Sequence, residues 1–537
     1  MEKTDINEMF DLKDALSLSG SDISKGKIRL PMYRALYIEA MSNKKGYDIS
    51  YDDAFSKLLE TVDETRNRKY VNPEGLKAEL RPYQKDGVMW LTSMKDNGFG
   101  ALLADDMGLG KTLQVITMLA GWKEKGKTLI VCPASLVYNW NSEIEKFMPS
   151  LPHRMIQGTP GVRKKLIESA SDNEILLTSY QTLQKDIELY EDVQFSAQII
   201  DEAQNIKNPM TITSKAVKLI HADYKIALTG TPIENRLSEL WSIFDYMMPG
   251  FFGSYESFRK TYERPIVKEG NEEASERLNQ MISPFILRRL KKDVLKDLPE
   301  KMEEVYYAPL EGEQKKLYEA EVQKLRLVLA KQSDADFSKN KIVVLSELTK
   351  LRQLCCNPGL LYEDYKKNSA KTDMCLDLIT NAVEGGHKVL IFSQFTSMLD
   401  QLSLLLRKKN VAHFLLKGST QQKYRANMVE EFQNDDRVKV FLISLKAGGT
   451  GLNLTAADIV IHYDPWWNTA AENQASDRAY RIGQTNDVTV YKLIMKDTIE
   501  ERIIELQKEK NALAEKVLSS EGVSSASLSR EELLKLL

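Results

Sequence analysis

Gly100 to Trp122 reads GALLADDMGLGKTLQVITMLAGW. It is an apolar run, then a loop of small and acidic residues, then an apolar stretch with helical spacing. A short continuous apolar run bounded by turn residues suits a strand covered on both faces, as in a parallel sheet. Backbone N–H groups of a glycine-bearing loop that opens a helix make an anion site, reinforced by the helix N-terminus. In the pattern G-x-x-x-x-G-K-[ST] the lysine reaches the β- and γ-phosphates and the hydroxyl holds Mg²⁺. Here those residues are Lys111 and Thr112, and the loop is Asp105, Asp106, Met107, Gly108, Leu109 and Gly110. Asp105 stands where the pattern has glycine.

Outward from this stretch, between Leu80 and Asp245, the runs TLIVCP, EILLTS, AQIIDE and YKIALTGTP alternate with helical patterns. Such alternation predicts a doubly wound α/β sheet with ligands at the carboxyl ends of its strands. Asp201 and Glu202 follow one of these strands. Adjacent carboxylates there suit metal-assisted hydrolysis, Asp201 orienting Mg²⁺ and Glu202 polarising the attacking water. Gln84, in LRPYQ, has an amide that can pair with the N6/N7 edge of adenine.

From Pro249 to Ala370 the chain reads mostly as helix and charged loop. After Lys388 the strand pattern returns in KVLIFSQ, HFLLKG, VKVFLIS, DIVIHYD and VTVYKLI. The expectation is an α/β chain of two lobes with parallel sheets and helical insertions. Residues 76–305 form the first lobe and 306–537 the second, with its C-terminal helices. Residues 1–75 are an N-terminal extension or the edge of a further domain. A last short helix is expected from Ser529, with Glu532 completing a capping box.

The 537 residues are 42% apolar and 28% charged, with a net charge of −3. No global basic field announces a nucleic-acid partner, so any such contact must come from local patches. Four cysteines without CxxC spacing and five histidines argue against a disulfide framework and a zinc site. The first twenty residues lack a basic segment followed by an apolar core, and no apolar run spans a membrane. A soluble intracellular chain is expected.

Near the far end, Gln474, Arg478 and Arg481 lie in QASDRAYRIGQ. Spacing i, i+4, i+7 puts all three on one helical face, so both guanidiniums could address one site. An arginine finger that stabilises a transferring phosphoryl group contributes ~10³–10⁵ in rate.

LRPYQ, DDMGLGKT, VCPASLVYNW, LTSYQTL, DEAQNIKN, LTGTPIENRLSELWSIFDYMMPG, PFILRRLKKDVLKDLPEK, VLIFSQFTSMLD, LISLKAGGTGLNLTAADIVIHYDPWWN and QASDRAYRIGQ occur in that order. From about Leu76 onward the chain resembles the Swi/Snf-type ATPases of helicase superfamily two, and a bacterial member is expected. The resemblance implies two RecA-like lobes with ATP and Mg²⁺ between them. It also implies a DNA-stimulated ATPase that travels along double-stranded DNA without separating the strands and remodels protein–DNA complexes. Gln84, Lys111, Thr112, Asp201, Glu202, Arg478 and Arg481 match the family's nucleotide and catalytic motifs. Asp105 matches too, because the family commonly has an acid there. Gln204 and Tyr480 stand where many relatives have histidine.

For the polymer, the resemblance points to Ser135, Thr178, Ser179, Gln394, Lys417, Gly418, Lys446 and Trp467, phosphate and sugar contacts that position without reading sequence. Arg288, Arg289, Lys291 and Lys292 are expected near DNA or between the lobes. Alternatives are an ATPase that remodels stalled transcription complexes through RNA polymerase, a conventional RNA helicase, and an ATP-gated scaffold. A monomer is expected, in the cytoplasm with the nucleoid, or in a nucleus if eukaryotic.

Overall fold

The computed structural model describes residues 33, 37–39, 52–66, 68–122, 126–230, 237–295, 298–330, 334–445, 452–467, 469–505 and 507. Lys446 and the helix expected from Ser529 lie outside the described residues. The chain divides into two compact units, the first in the main up to Leu290 and the second from Lys291 onward.

The first unit holds seven parallel strands: β1 Ala101–Leu103, β2 Thr128–Cys132, β3 His153–Met155, β4 Ile175–Ser179, β5 Phe195–Ile200, β6 Ala222–Leu228 and β7 Ile286–Leu287. Their order is β3-β4-β2-β5-β6-β1-β7. Every residue of β1, β2 and β4 is buried, which is why these strands read as unbroken apolar runs. Each fully buried Leu or Ile contributes about 1.5–3 kcal/mol. Because all strands run the same way, the loops after β1, β6, β5, β2 and β4 lie along one edge. β6 alone separates β1 from β5, so Gly108–Lys111 and Asp201 come from strands two places apart.

The second unit holds six parallel strands: β8 Lys301–Ala308, β9 Val389–Ser393, β10 His413–Leu416, β11 Val440–Ser444, β12 Ile459–His462 and β13 Val488–Met495. They are ordered β10-β11-β9-β12-β13-β8. The helices Gly312–Ala330 and Asp334–Cys356 are inserted between β8 and β9 and share an apolar cluster with Met495, Ile499 and Ile503. Among the described residues no helix is long and apolar enough to cross a membrane.

β8 is a strand that the reading of 249–370 as mostly helix and charged loop did not distinguish. It pairs with β13 along its whole length, from Lys301↔Val488 to Ala308↔Met495. Residues 302–307 are all exposed. An edge strand that buries neither face has neither an apolar run nor alternation to reveal it. Residue 305, where the sequence reading divides the lobes, lies inside this strand.

β12 ends in His462, 1% exposed. Its Nε2 sits 2.8 Å from Ser476 Oγ, and its ring stacks on Phe392 with centroids 5.7 Å apart. Burial, together with Lys492 and Lys301, pulls the imidazole down to about 3. The folded form is therefore neutral where the unfolded chain binds a proton, so this stability is complete above about pH 6.5 and is lost as pH falls toward 3. Between pH 7 and pH 5 the loss from this group is about 2 kcal/mol. His462→Gln should shrink the difference between urea unfolding at those two pH values by that amount; an unchanged difference would refute it.

Candidate functional site

The loop after β1 turns into the helix Lys111–Ala120 through Gly108 and Gly110, at φ 83° and 78°. Only glycine takes this left-handed conformation without steric cost. Lys111 Nζ donates to the main-chain oxygens of Asp105 at 2.5 Å and Asp106 at 3.3 Å, so the ammonium lies over the loop. Thr112, beside it, is half-buried. Gln84 is 3% exposed and sits in the helix Pro82–Asp96. Its Oε1 accepts from Arg81 N at 2.9 Å. Its Nε2 packs so closely on Gly110 that a β-carbon there would come within 2.5 Å. The structure thus brings Gln84 to the loop, 26 positions away in the chain (84 to 110).

Asp105 turns its side chain into the protein. It is 0% exposed and gripped by Arg289, Nε to Oδ1 at 2.9 Å and Nη2 to Oδ2 at 2.5 Å, with Gln114 Nε2 at 3.2 Å from Oδ2. Arg289 also donates to Gln114 Oε1 at 2.8 Å and to the Tyr83 carbonyl. Gly87 leaves room for this cluster, since a β-carbon there would lie 1.9 Å from Gln114 Oε1 and 2.7 Å from Arg289 Nη2. The main chain follows suit: Ala104 N donates to Leu287 O at 2.7 Å and Asp106 N to Arg289 O at 3.0 Å. The basic run LRRLKK is therefore not one solvated face. Arg288 and Lys292 are exposed, whereas Arg289 turns into the first unit. Lys291, in the second unit, donates to Asp477 Oδ1 at 2.6 Å and Tyr480 O at 2.7 Å.

After β5, Asp201 is held by groups that sequence reading does not find. Trp140, 0% exposed, donates from Nε1 to Asp201 Oδ2 at 2.9 Å. Asp201 Oδ1 accepts from Glu202 N at 2.8 Å, and Tyr180 Oη donates to the Asp201 carbonyl at 2.8 Å. Burial pushes the Asp201 carboxyl up, against the Trp140 hydrogen bond and the charge of Lys111. Glu202 takes a left-handed backbone, φ 52°, an uncommon conformation for a non-glycine residue that turns the chain sharply after the strand. Gln204 donates to Glu202 Oε2 at 2.8 Å and accepts from Thr229 Oγ1 at 3.1 Å, linking the carboxylate to the end of β6.

The arginine pair departs from the helical expectation. The helix Thr469–Ser476 carries Gln474 but stops before Arg478. Hydrogen bonds tighten from Asp477 N→Asn473 O to Arg478 N→Ala475 O, then to Arg481 N→Ala479 O. Ala479 is pulled into the core with Ala475 and Leu454, and Gln484 Nε2 holds the Ala479 and Ala457 carbonyls at 3.2 and 2.8 Å. Helical spacing cannot place the two guanidiniums together past Ser476. Arg478 is 7% exposed; Arg481 is half-buried, with Nη1 3.5 Å from Leu452 O.

Two polymer candidates lie deeper than the others. Thr178 is 0% exposed inside β4, so its side chain reaches no surface. The Ser179 hydroxyl caps the helix Tyr180–Lys185, accepting from Thr182 N at 3.1 Å and donating to Thr182 Oγ1 at 2.9 Å. Ser135 and Gln394 are half-buried loop residues at the carboxyl ends of β2 and β9, and Gln394 N donates to Asp464 Oδ1 at 3.3 Å. Lys417 pairs with Asp400 at 2.5 Å, and Gly418 is exposed with nothing near its α-carbon face. Trp467 packs against the cluster of the inserted helices.

Comparison with known proteins bears on the whole chain. The model of the SNF2-related domain matches residues 83–360, the helicase conserved C-terminal domain 370–483, and the bacterial SNF2 helicase associated region 1–73. An uncharacterized ATP-dependent helicase of Mycoplasma pneumoniae is 39% identical over 98% of this chain and 50% of its own length. The TATA-binding protein-associated factor MOT1 of Saccharomyces cerevisiae is 34% identical over 89% of this chain and 30% of its own. A solved structure, the Sulfolobus solfataricus SWI2/SNF2 ATPase core in complex with dsDNA, is 39% identical, covering 84% of this chain and 96% of that one, with a TM-score of 0.44. The chain spans about half the length of the mycoplasmal relatives it matches.

Proposed function

The chain belongs to the SNF2-related family, its two parallel sheets being that family's RecA-like lobes, and from this premise we propose an ATP-driven motor. It moves along double-stranded DNA without separating the strands and displaces or remodels proteins bound there. The observation that carries the reading is the carboxyl edge of the first sheet. There a glycine-bearing loop with Lys111 over it, and a carboxylate pair steadied by Trp140, come from strands two places apart. The names of relatives support the rest: one is an ATP-dependent helicase, another a TATA-binding protein-associated factor.

In this reading the loop amides of 106–111 and the Lys111 ammonium bind the ATP phosphates, and Gln84 meets the adenine edge. Thr112 and Asp201 offer the hard oxygen donors that suit Mg²⁺, and that ion would supply charge neutralisation at the phosphates. Glu202, turned by its backbone and tied to Gln204, orients the attacking water. Arg478 and Arg481 stabilise charge on the γ-phosphate oxygens. Ser135, Gln394, Lys417, Gly418, Lys446 and Trp467 remain the proposed DNA contacts, with Arg288 and Lys292 as exposed cations.

Steady-state ATP hydrolysis measured without polymer, and with duplex DNA, single-stranded DNA or RNA, tests the reading. Duplex DNA should give the largest stimulation, and Lys111→Ala should abolish it. Stimulation chiefly by RNA would replace the proposal with an RNA helicase, and turnover indifferent to every polymer would remove the DNA motor.

A further inference from the structure

A carboxylate at the mouth of a phosphate loop is electrostatically wrong for a polyanion. Asp105 occupies that position, is 0% exposed, and has its carboxylate oxygens engaged by Arg289 and Gln114. We infer that Arg289 is a positioning residue for nucleotide binding: it cancels the Asp105 charge and fixes the loop's shape. This rests on the nucleotide site proposed above. Three observations carry it. The guanidinium meets both carboxylate oxygens, a bidentate geometry that a point-charged lysine cannot reproduce. Arg289 is itself fixed on its other edges, by the Tyr83 carbonyl, by Gln114 Oε1, and by the Tyr83 ring 5.2 Å from its Cζ. The main chain of the same residue accepts from Asp106 N, so side chain and backbone hold the loop from one side. Gly87 is part of the device, because any side chain there would occupy the space of Gln114 and Arg289.

Without Arg289 the loop keeps one uncompensated negative charge beside the phosphates. At ~8 Å and an effective dielectric of ~20, one charge opposing another weakens binding about thirtyfold. The penalty must grow with the charge of the ligand, whereas general loosening of the fold weakens every ligand alike.

The test measures binding of ATP, ADP and adenosine to the full chain by displacement of a fluorescent ATP analogue, for wild type, Arg289→Gln, Arg289→Lys, Asp105→Asn and the Asp105→Asn/Arg289→Gln pair. Arg289→Gln should lose about thirtyfold for ATP, less for ADP, and little for adenosine. The double variant should recover most of the loss, and lysine only part of it. If Arg289→Gln fails to fold, Asp105→Asn carries the test, and ATP should then gain on adenosine relative to wild type. Equal losses for all three ligands, a double variant as weak as the single, or an unchanged ATP-to-adenosine ratio in Asp105→Asn would overturn the inference. A wild-type chain that binds no nucleotide would instead defeat the proposed function itself.

Discussion

Arg481→Ala is expected to lower duplex-stimulated turnover by ~10³-fold or more, equivalent to about 4 kcal/mol of transition-state stabilisation. A group that acts on the developing γ-phosphate charge contributes chiefly in the transition state, so kcat and kcat/KM should fall together. Arg481 is the cleaner probe of the two arginines. It is half-buried on the turn after Ser476, where its Nη1 lies 3.5 Å from Leu452 O. Arg478 is 7% exposed, and its carbonyl receives Leu454 N at 3.0 Å, so truncation there mixes chemistry with packing. Arg481→Lys should restore little, because a single ammonium cannot present the planar fork. Stimulated ATP hydrolysis at the wild-type rate in Arg481→Ala would take this residue out of the chemistry.

The largest effect on stability is expected at Lys371 and Glu500. Both side chains are 0% exposed and form an ion pair. Glu500 Oε2 also accepts from Met495 N at 2.8 Å, and Lys371 Nζ lies 5.6 Å from the Tyr463 ring centroid. The pair thus ties the helix Ala370–Glu384 to the end of β13. Removing one partner strands the other in the core, at a cost of about 3–5 kcal/mol. Lys371→Met should lose that much in urea unfolding. Burial pushes the Glu500 carboxyl up even with Lys371 present, so the deficit of the variant should shrink as pH falls and the stranded group takes up a proton. Lys371→Met/Glu500→Met should regain most of the loss, since two apolar groups need no partner. A single variant as stable as wild type would show that the pair does not hold this unit together.

The sequence discloses what burial writes into it. β1, β2, β4, β5 and β6 are apolar because their neighbours cover them, and the glycines at 108 and 110 are visible because the left-handed turn requires them. β3 and β7 are short, and β8 is exposed along 302–307, so none carries a hydrophobic signature. The spacing of Gln474, Arg478 and Arg481 is a true period, but the helix stops at Ser476, before the period can act. Trp140 and Arg289 could not be assigned from spacing, standing 61 and 184 positions from the carboxylates they hold.

The connector between the units also has a mechanical meaning. β7 and β8 are edge strands of two different sheets, joined by residues 288–300. A pull along this connector loads β8 in shear over eight paired residues but β7 over only two. Shear shared among eight rungs resists where two rungs yield, so tension finds its weak point on the first unit. Arg289 stands at that point, two residues past the end of β7, with Asp105 in its grip. Force on the connector would therefore be felt first at β7 and at the Asp105–Arg289 pair, which holds the loop after β1.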